Sequence, residues 1–382
     1  MSEQVRKKKK TKYFFDYTML FIVIFLLLFG LVMLYSTSSY EANIKFEDSA
    51  FYFRKQAVAS AIGIAVMLAI MLFDYHIVQR FAALAYVVSL VLILLVLTPL
   101  GYEAGGARRW LNLGMSLQPA EVAKLALIVF FASVVCRFGD HIKEKRGLLI
   151  VLALAIPHSF CVLTITQNLS SAIIIFSIVL MMLFVATPQY KEYFIIAGIA
   201  IVFAVVMVLL VKYDILPTGL SYRFARIKAW MDPESYAANK GFQTLQALYA
   251  IGSGDIFGKG LGESIQKLGY LPEAQNDMIF SIICEELGLF GAIAIILLFV
   301  LLIWRFMVIA NNAQDMFGAL LVVGVMAHIS IQVILNIAVV TNTIPNTGIT
   351  LPFISYGGSS IVFLLAEMGL VLSVSRSIRL EG

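Results

Sequence analysis

Four carboxylates lie where a polar segment passes into a long apolar one. The stretch YLPEAQNDMIFSIICEELGLFGAI contains Glu273, Asp277, Glu285 and Glu286. An ionised side chain at the centre of a bilayer costs roughly 2.5–3.5 kcal/mol on insertion scales, so these residues need a function or a partner. Asp277 lies in the first turn of a predicted helix that Asn276 can cap, where an aspartate is commonly a capping residue itself. In reach of basic residues, it is also placed to take a proton from a hydroxyl.

The helix face that carries Asp277 favours the catalytic alternative. The spacing i, i+4, i+7 and i+11 aligns one stripe of small side chains, Asp277, Ser281, Cys284 and Gly288. Another helix or a lipid chain can approach such a stripe closely. Glu285 and Glu286 lie about 12–13 Å deeper at 1.5 Å per residue and cannot reach the same substrate atom. We expect a structural or hydration role for them, paired with a polar stripe formed by His328, Gln332 and Asn336.

A second charged group precedes another apolar segment. In ARRWLNLGMSLQPAEVAKLAL, Pro119 suits the first position of a helix, and Glu121 lies in its first turn, where the helix dipole favours an anion. Lys124 follows three residues later on the same face, so a simple i, i+3 ion pair is one explanation. The alternative is that Lys124 joins Arg108 and Arg109 in a cationic cluster at the outer edge of the bilayer. A phosphate-bearing lipid headgroup would lie there.

The elements that carry these residues are predicted to be transmembrane helices. Of 382 residues, 61% are hydrophobic and 13% are charged, whereas soluble domains have about 25% charged residues. Apolar runs long enough to cross about 30 Å of hydrocarbon occur at residues 17–35, 56–73, 81–97, 120–135, 148–164, 169–185, 194–211, 278–304, 316–340 and 356–374. A short polar stretch, TQNLS, separates the fifth run from the sixth. The sequence predicts an all-α polytopic membrane protein with ten transmembrane helices in a single domain, residues 1–382.

The distribution of basic residues predicts the orientation. Lys and Arg are more frequent in the amino-terminal tail, the even-numbered loops and the carboxyl tail than in the short odd-numbered loops, and cytoplasmic loops carry such an excess. Both termini are therefore expected in the cytoplasm. Residues 1–16 form a basic cytoplasmic tail that anchors the first helix and can contact anionic lipids. The tail accounts for much of the net charge of +5, so no nucleic-acid partner is predicted.

A large extracellular loop, residues 213–275, is predicted between helices 7 and 8, and loops of this length are usually functional or structured. An amphipathic helix is indicated by the spacing of Leu220, Phe224, Ile227 and Met231. It lies either in the outer headgroup layer or against the bundle. The following GSGDIFGKGLG matches no nucleotide-binding fingerprint, so no nucleotide is expected. Its glycines favour a tight turn that brings the backbone close to a ligand or to the bundle.

Three segments resemble the SEDS family, the FtsW, RodA and SpoVE proteins. They are ARRWLNLGMSLQPAEVAKLAL, GSGDIFGKGLGESIQKLGYLPEAQNDMIFSIICEELGLFG and LPFISYGGSS, and the similarity extends over essentially the whole chain. The forms KLGYLPEAQND and FISYGGSS are more similar to FtsW and SpoVE than to RodA. The resemblance implies a peptidoglycan glycosyltransferase in the bacterial plasma membrane. Such an enzyme polymerises lipid II into glycan strands at the outer face, in cell division or related wall synthesis.

The resemblance also assigns roles to individual residues. It places the essential aspartate that follows LPEA on Asp277. It implies substrate-binding roles for six further residues, Arg108, Arg109, Glu121, Lys124, Lys267 and Gln275. Two positions depart from the family pattern. Where relatives often have Gln-Pro-Asp-Leu-Gly, this chain has Thr166-Gln167-Asn168-Leu169-Ser170, so a carboxylate is not required there. Where many relatives have His-Thr before the aspartate, this chain has Gln275-Asn276, which excludes a catalytic histidine.

The implied reaction is glycosyl transfer with inversion. Asp277 would deprotonate the 4-hydroxyl of the acceptor lipid II, and this oxygen would attack the anomeric carbon of the growing donor chain. The leaving group is undecaprenyl pyrophosphate. Arg108, Arg109 and Lys124 would stabilise its negative charge. The family also suggests a divalent cation, Mg²⁺ or Mn²⁺, whose ligands the sequence does not identify.

The expected partners are membrane proteins. No outer segment is long enough for a transpeptidase domain, typically well over 100 residues. The resemblance implies a class B penicillin-binding protein with one transmembrane helix, besides other division or elongation membrane proteins. We expect it to dock on helices 8 and 9 through apolar faces such as Ile295, Leu298 and Leu302. Two other functions stay open at this stage: a scaffold without catalysis, and a lipid II flippase with a relay through Glu285, Glu286, His328 and Glu367.

Overall fold

The computed structural model describes residues 12–104, 106–112, 114, 116–188, 190–213, 215, 222–238 and 241–380. The predictions for tail residues 1–11 and for Leu220 lie outside this part of the chain. The helices, in chain order, are α1 Tyr17–Phe46, α2 Phe51–Leu72, α3 His76–Arg80, α4 Ala82–Leu95, α5 Pro119–Phe138, α6 Lys145–Thr164, α7 Leu169–Ala186, α8 Tyr190–Lys212, α9 Tyr222–Met231, α10 Phe242–Ser253, α11 Ile279–Asn311, α12 Met316–Val340 and α13 Gly358–Ser377. A short 3₁₀ helix, Gly139–Lys143, follows α5.

Within the described residues, nine helices are long and apolar enough to cross a membrane: α1, α2, α5, α6, α7, α8, α11, α12 and α13. The third predicted span, residues 81–97, corresponds to α4, a shorter apolar helix of 14 residues. The polar stretch TQNLS separates α6 from α7 as predicted. Asn168 caps α7, because its side chain accepts a hydrogen bond from the Ser171 amide at 3.0 Å. The predicted runs therefore correspond to helices, with one of them shorter than expected.

The all-α prediction is wrong in one respect, because the chain also contains two small antiparallel sheets. Strands β1 Lys12–Tyr13 and β5 Arg379–Leu380 pair near the two ends of the chain. Strands β2 Gly101–Ala104, β3 Ala107–Asn112 and β4 Ser116–Leu117 form a sheet between α4 and α5. This connection is too polar to span a membrane, so its backbone groups pair with one another, while Ala107 and Leu111 point inward.

Helix α11 is broken at Gly288, although the sequence predicts an uninterrupted eighth span. Gly288 has φ 65° and ψ −165°, which is far from helical geometry. A Cβ atom at this position would lie 2.4 Å from the amide nitrogen of Gly258, so the close approach of another segment also requires glycine. The break divides α11 into a first half-helix, residues 279–287, and a second part, residues 289–311. The second part is about 35 Å long and can cross the hydrocarbon alone.

The glycine-rich segment GSGDIFGKGLG runs beside the first half-helix. The amides of Lys259 and Gly260 donate to the carbonyls of Glu285 and Glu286 at 2.9 and 3.0 Å. A Cβ atom at Gly254 would lie 1.9 Å from the Cys284 carbonyl oxygen. The prediction of close backbone approach is therefore confirmed, with the bundle as the neighbour. The groove beside Cys284 and Gly288, predicted to take another helix or a lipid chain, holds this chain's own loop.

The structure tests two predictions about the protein surface, the docking face on α11 and the location of the amphipathic helix. Of the apolar residues proposed as a docking face on α11, Ile295 and Leu302 are buried in the protein, so that prediction is wrong for both. The exposed face of α11 consists instead of Ile293, Leu297, Val300, Trp304 and Met307. Helix α9 exists as predicted and packs on the protein. Its Trp230 donates from Nε1 to the Asn342 carbonyl at 2.9 Å, which favours the bundle over the headgroup layer.

Candidate active site

Asp277 lies at the amino-terminal end of α11, two residues before its first residue. Its side chain is 7% exposed, and its Oδ1 has no hydrogen-bond partner among the described residues. The predicted cap is wrong, because the Asn276 amide donates to Glu273 and Met278 occupies the N-cap position without a side-chain bond. Asp277 therefore does not stabilise the helix end, and one of its oxygens is available to accept a proton.

The surroundings of Asp277 suit a base that works near neutral pH. Burial, and after it the carboxylate of Glu273, raises the pKa of Asp277 to about 7, while its own backbone amide and Arg226 act in the opposite direction. A general base is most effective when its pKa lies near the operating pH. Gly348, with φ 70°, packs beside this carboxylate, since a Cβ atom there would lie in ordinary van der Waals contact with Oδ2, at 3.8 Å.

Two amide side chains of α12 connect Asp277 with the second charged group. Asn336 donates from Nδ2 to the carbonyls of Asp277 and Ile349 at 2.8 and 2.7 Å. Gln332, one helical turn earlier, accepts from the Lys124 ammonium at 3.5 Å and donates to the Thr350 carbonyl at 3.0 Å. The predicted polar stripe is thus present. Its predicted pairing with Glu285 and Glu286 is wrong.

Glu121 and Lys124 form an ion pair inside the protein. The Lys124 ammonium lies 2.7 Å from Glu121 Oε1, with side-chain exposures of 2% and 8% respectively. The pair is therefore buried and does not extend to the surface. Pro119 occupies the first turn of α5 as predicted. Ser360 donates to Glu121 Oε2 at 3.0 Å, a contact that sequence reasoning missed although Ser360 belongs to the quoted segment LPFISYGGSS.

Arg108 and Arg109 lie on strand β3. The Arg108 side chain is exposed and donates to the carbonyls of Thr98 and Gly101. These acceptors are neutral, so the guanidinium keeps its full charge. Arg109 donates from Nε to the Thr166 carbonyl at 3.2 Å and thereby connects the sheet with the turn between α6 and α7. The arginines thus hold the sheet in place, whereas Lys124 is neutralised by a carboxylate.

The other two predicted substrate-binding residues bind protein groups. Gln275 is 4% exposed and donates from Nε2 to Glu41 of α1 at 2.8 Å. The backbone carbonyl of Gln275 accepts from the Tyr356 backbone amide at 2.9 Å. Lys267 is 8% exposed, and its ammonium lies 2.7 Å from Glu286 Oε1 and 2.9 Å from the Ser36 hydroxyl. Gln275 is near Asp277 along the chain, whereas Lys267 lies at the opposite end of the first half-helix.

Glu285 and Glu286 are fully buried, and each binds a lysine of the preceding loop. Glu285 accepts from Lys259 at 2.6 Å, from the Ser264 hydroxyl and from the Ile265 amide at 3.2 Å. Glu286 accepts from Lys267 and from Ser36. The expected structural role is consistent with these contacts. Ser264 and Lys267 also have S-x-x-K spacing, but each is bound to a different carboxylate and they do not form a nucleophile–base pair.

Similarity to known proteins assigns the chain to a family. A family model for FtsW, RodA and SpoVE, described as "Cell cycle protein", matches residues 17–380. Stage V sporulation protein E of Bacillus subtilis (strain 168) is 38% identical over 94% of this chain and 97% of its own length. The probable peptidoglycan glycosyltransferase FtsW of Trichlorobacter lovleyi is also 38% identical, over 96% of this chain and 94% of its own.

The chain belongs to the FtsW/RodA/SpoVE family. Solved structures agree with this assignment. A chain in "Structural coordination of polymerization and crosslinking by a peptidoglycan synthase complex" superposes with a TM-score of 0.76 at 26% identity, covering 95% of this chain and 98% of that one. The crystal structure of the rod shape determining protein RodA of Thermus thermophilus gives 0.68 at 25% identity, with 96% and 98% covered. This chain is therefore a polytopic membrane protein.

The intramembrane carboxylates of this family member have partners that do not form the relay predicted for a flippase. Glu285 and Glu286 bind loop lysines, whereas His328 Nδ1 lies 2.8 Å from Glu367 Oε2. Both members of the His328–Glu367 pair are buried. The lysines satisfy the charges of Glu285 and Glu286, and Glu367 is hydrogen-bonded to His328, so the presence of these carboxylates does not require a transport pathway.

A divalent cation at this site would need ligands that do not come from the protein. In the part of the chain that the structure describes, no group of three or more His, Cys, Asp or Glu side chains could hold a metal ion. Mg²⁺ is commonly held by one or two carboxylates together with substrate phosphates. A cation at this site would therefore rely mainly on oxygens of a substrate pyrophosphate.

Proposed function

We propose that this chain is a peptidoglycan glycosyltransferase that polymerises lipid II into glycan strands. The observation that supports this function best is Asp277, a buried carboxylate with an unpartnered oxygen and a pKa raised to about 7. It occurs in a chain whose relatives include proteins named as probable peptidoglycan glycosyltransferases. A buried carboxylate with an unpartnered oxygen lowers the stability of the fold. A general base with a pKa near the working pH requires such an environment, which explains why the protein retains it.

In the proposed mechanism, Asp277 takes the proton from the 4-hydroxyl of the acceptor lipid II. The resulting oxygen attacks the anomeric carbon of the donor glycan from the face opposite the leaving group, so the configuration inverts. The bond to undecaprenyl pyrophosphate breaks, and the pyrophosphate leaves with the electron pair. Asn336 holds the Asp277 backbone through its carbonyl and so keeps the carboxylate oriented.

The leaving pyrophosphate requires positive charge. Arg108 is the best candidate, because its guanidinium is exposed and its acceptors are neutral carbonyls. Arg109 is half-buried on the same strand and also binds carbonyls. Lys124 has its charge matched by Glu121, so we propose that this pair orients hydroxyl or phosphate groups as a unit. A divalent cation would be held mainly by substrate phosphates, and would supply further charge stabilisation.

The proposal extends to the arrangement of the chain in the membrane. We propose ten transmembrane helices with α4 included, both termini in the cytoplasm, and residues 213–275 on the outer face of the bacterial plasma membrane. Asp277 directly follows that loop, so this orientation places the reaction outside the cytoplasm, where lipid-linked glycan is polymerised. The chain then works as one transmembrane domain.

A class B penicillin-binding protein is the proposed crosslinking partner, together with other division or elongation membrane proteins. The peptidoglycan synthase complex described above, which coordinates polymerization and crosslinking, contains a chain similar to this one. The exposed apolar face of α11, with Leu297 and Val300 at its centre, fits a single transmembrane helix. Co-purification after co-expression tests this: Leu297→Ala with Val300→Ala should reduce recovery of the partner. Val202→Ala on the exposed face of α8 is the matched control.

The decisive test of the function is gel analysis of the product made from purified lipid II by purified protein. Wild-type protein should produce glycan polymer, and Asp277→Ala should not. If a well-folded wild-type protein, alone and with its co-purified partner, makes no polymer but moves labelled lipid II across vesicle membranes, the flippase replaces the glycosyltransferase.

A further inference from the structure

The first half-helix of α11 carries Asp277 before its beginning and two buried ion pairs at its end. Glu285 and Glu286 are its last residues before Leu287 and the break at Gly288. Non-helical geometry at Gly288 interrupts the hydrogen bonds that would hold this half-helix in line with the rest of α11. Its orientation must therefore come from contacts with neighbouring segments.

Backbone hydrogen bonds join the loop before α11 to both sides of the break. On the side of the first half-helix, the amides of Lys259 and Gly260 donate to the carbonyls of Glu285 and Glu286. Beyond the break, the amides of Leu289 and Phe290 donate to the carbonyls of Asp255 and Ile256 at 2.9 and 3.0 Å. These bonds close residues 255–290, which include Asp277, into one hydrogen-bonded lobe. Lys259 and Lys267 reach from the loop to Glu285 and Glu286 and neutralise both charges inside this lobe.

We propose that the ion pairs Lys259–Glu285 and Lys267–Glu286 fix the orientation of the first half-helix and thereby keep the Asp277 carboxylate in its reactive position. The four residues are positioning residues. The inference rests on the proposed function, because it takes Asp277 as the base. It gives Lys267 a different role from the substrate-binding one that the family resemblance implies. The geometry supports this change, since the Lys267 ammonium is buried and bound by Glu286 and Ser36.

The Lys267–Glu286 pair can be reversed, which makes the proposal testable. The hydrogen bonds of the Glu286 carboxylate come from side chains, Ser36 and Lys267. A hydroxyl can donate or accept, so Ser36 can serve either arrangement. Glu285 cannot be exchanged in this way, because it also accepts from the Ile265 and Gln266 amides. Those amides and Ser264 would keep Glu285 satisfied in Lys259→Met, so that variant should fold.

The variants are Lys267→Glu, Glu286→Lys, their combination, and Lys259→Met. Lys143→Met is the matched control, because Lys143 pairs with Asp140 on the surface. We expect kcat to fall about 10- to 100-fold in the single variants, with KM for lipid II nearly unchanged, since a misplacement near 1 Å can cost this much. The combination should recover most of the lost kcat, and the control should equal wild type.

Two further measurements separate positioning from general destabilisation. A loosened lobe admits water to Asp277, so the acidic limb of the pH–rate profile should move to lower pH in Lys259→Met. The charged groups facing Asp277, Glu273 of the loop and Arg226 of α9, are unchanged in that variant, and Asn336 of α12 is neutral. Amide hydrogen exchange of residues 270–278 should accelerate in the single variants and return to the wild-type rate in the combination.

Several results would overturn the proposal. A raised KM with unchanged kcat in Lys267→Glu, not rescued by Glu286→Lys, would mean that Lys267 binds substrate. Unchanged hydrogen exchange and an unchanged pH–rate profile in Lys259→Met would mean that the lobe does not depend on its ion pair. The exchange measurement needs no activity. If wild-type protein made no polymer, the proposed function would fail separately, and the exchange data would still decide whether the ion pairs position residues 270–278.

Discussion

Replacement of Asp277 by Asn should abolish polymer synthesis and at the same time stabilise the protein. The Asn side chain has nearly the same shape, and the hydrogen bond from Asn336 goes to the backbone carbonyl, which the substitution leaves in place. General bases contribute about 10²- to 10⁴-fold to a rate, or roughly 3–5.5 kcal/mol of activation free energy. We therefore expect kcat to fall by at least two orders of magnitude without loss of fold.

The gain in stability follows from the raised pKa of the buried carboxyl. Folding raises the pKa of Asp277 to about 7, from about 3.9 in an unfolded chain. The unfolded chain releases the proton first as pH rises, so the free energy of unfolding falls between these two values. At 1.36 kcal/mol per unit, the cost reaches about 4 kcal/mol above pH 7 and is absent below pH 4. Asp277→Asn should thus unfold at a higher temperature than wild type at pH 8, with a smaller difference at pH 5.

The pH dependence of the rate supplies an independent check. Because the base must be deprotonated, kcat should rise with pH up to about 7 and then level off. Glu273→Gln removes a neighbouring negative charge that raises this pKa, so the rise should move to lower pH.

Gel analysis of lipid II polymer at several pH values, together with thermal unfolding in the same detergent, measures both effects. Asp140→Asn is the control, because Asp140 is an exposed aspartate. Polymer synthesis by a folded Asp277→Asn protein would refute the general-base role. An acidic limb near pH 4 with no stability gain would refute the reasoning from burial.

Three further changes test the surroundings of the site. Lys124→Met leaves the buried Glu121 charge unpaired, so it should lower the free energy of unfolding by about 3–5 kcal/mol and abolish activity. The double variant with Glu121→Gln should recover stability but not activity, as measured by unfolding and polymer assays. Ser360→Ala removes one hydrogen bond to that carboxylate and should cost about 1.5–3 kcal/mol of stability, measured by denaturant unfolding; an unchanged protein would contradict the contact. Gly288→Ala should destabilise the protein by more than about 1 kcal/mol, because of the positive φ and the 2.4 Å approach of Gly258, whereas Gly198→Ala, which meets open space, should not lower the melting temperature.

The helical spans and several of their ends could be predicted from the sequence. Hydrophobicity over about 20 residues is a local property, because a helix satisfies its own backbone hydrogen bonds in lipid. The same holds for Pro119 at the start of α5 and for the polar break at TQNLS. The ion pair between Glu121 and Lys124 was also predictable, because its partners lie one helical turn apart.

The partners of buried polar groups depended on which segments meet in space. The sequence predicts that Glu285 and Glu286 bind α12. They bind lysines of the loop instead, because the break at Gly288 lets that loop pack beside the first half-helix. No local pattern distinguishes these partners. The contact of Ser360 with Glu121 joins residues 239 positions apart and could not be inferred from either segment alone.

For Asp277, the sequence determines the position of the side chain, whereas the tertiary structure determines its solvation. The chain determines that an aspartate stands at the start of a long apolar helix, and its motif identifies the family. Whether that carboxylate is solvated and acidic or buried with a pKa of about 7 depends on the segments that pack around it, such as the one that contains Gly348. Desolvation is a property of the assembled surroundings, so only the tertiary structure decides it.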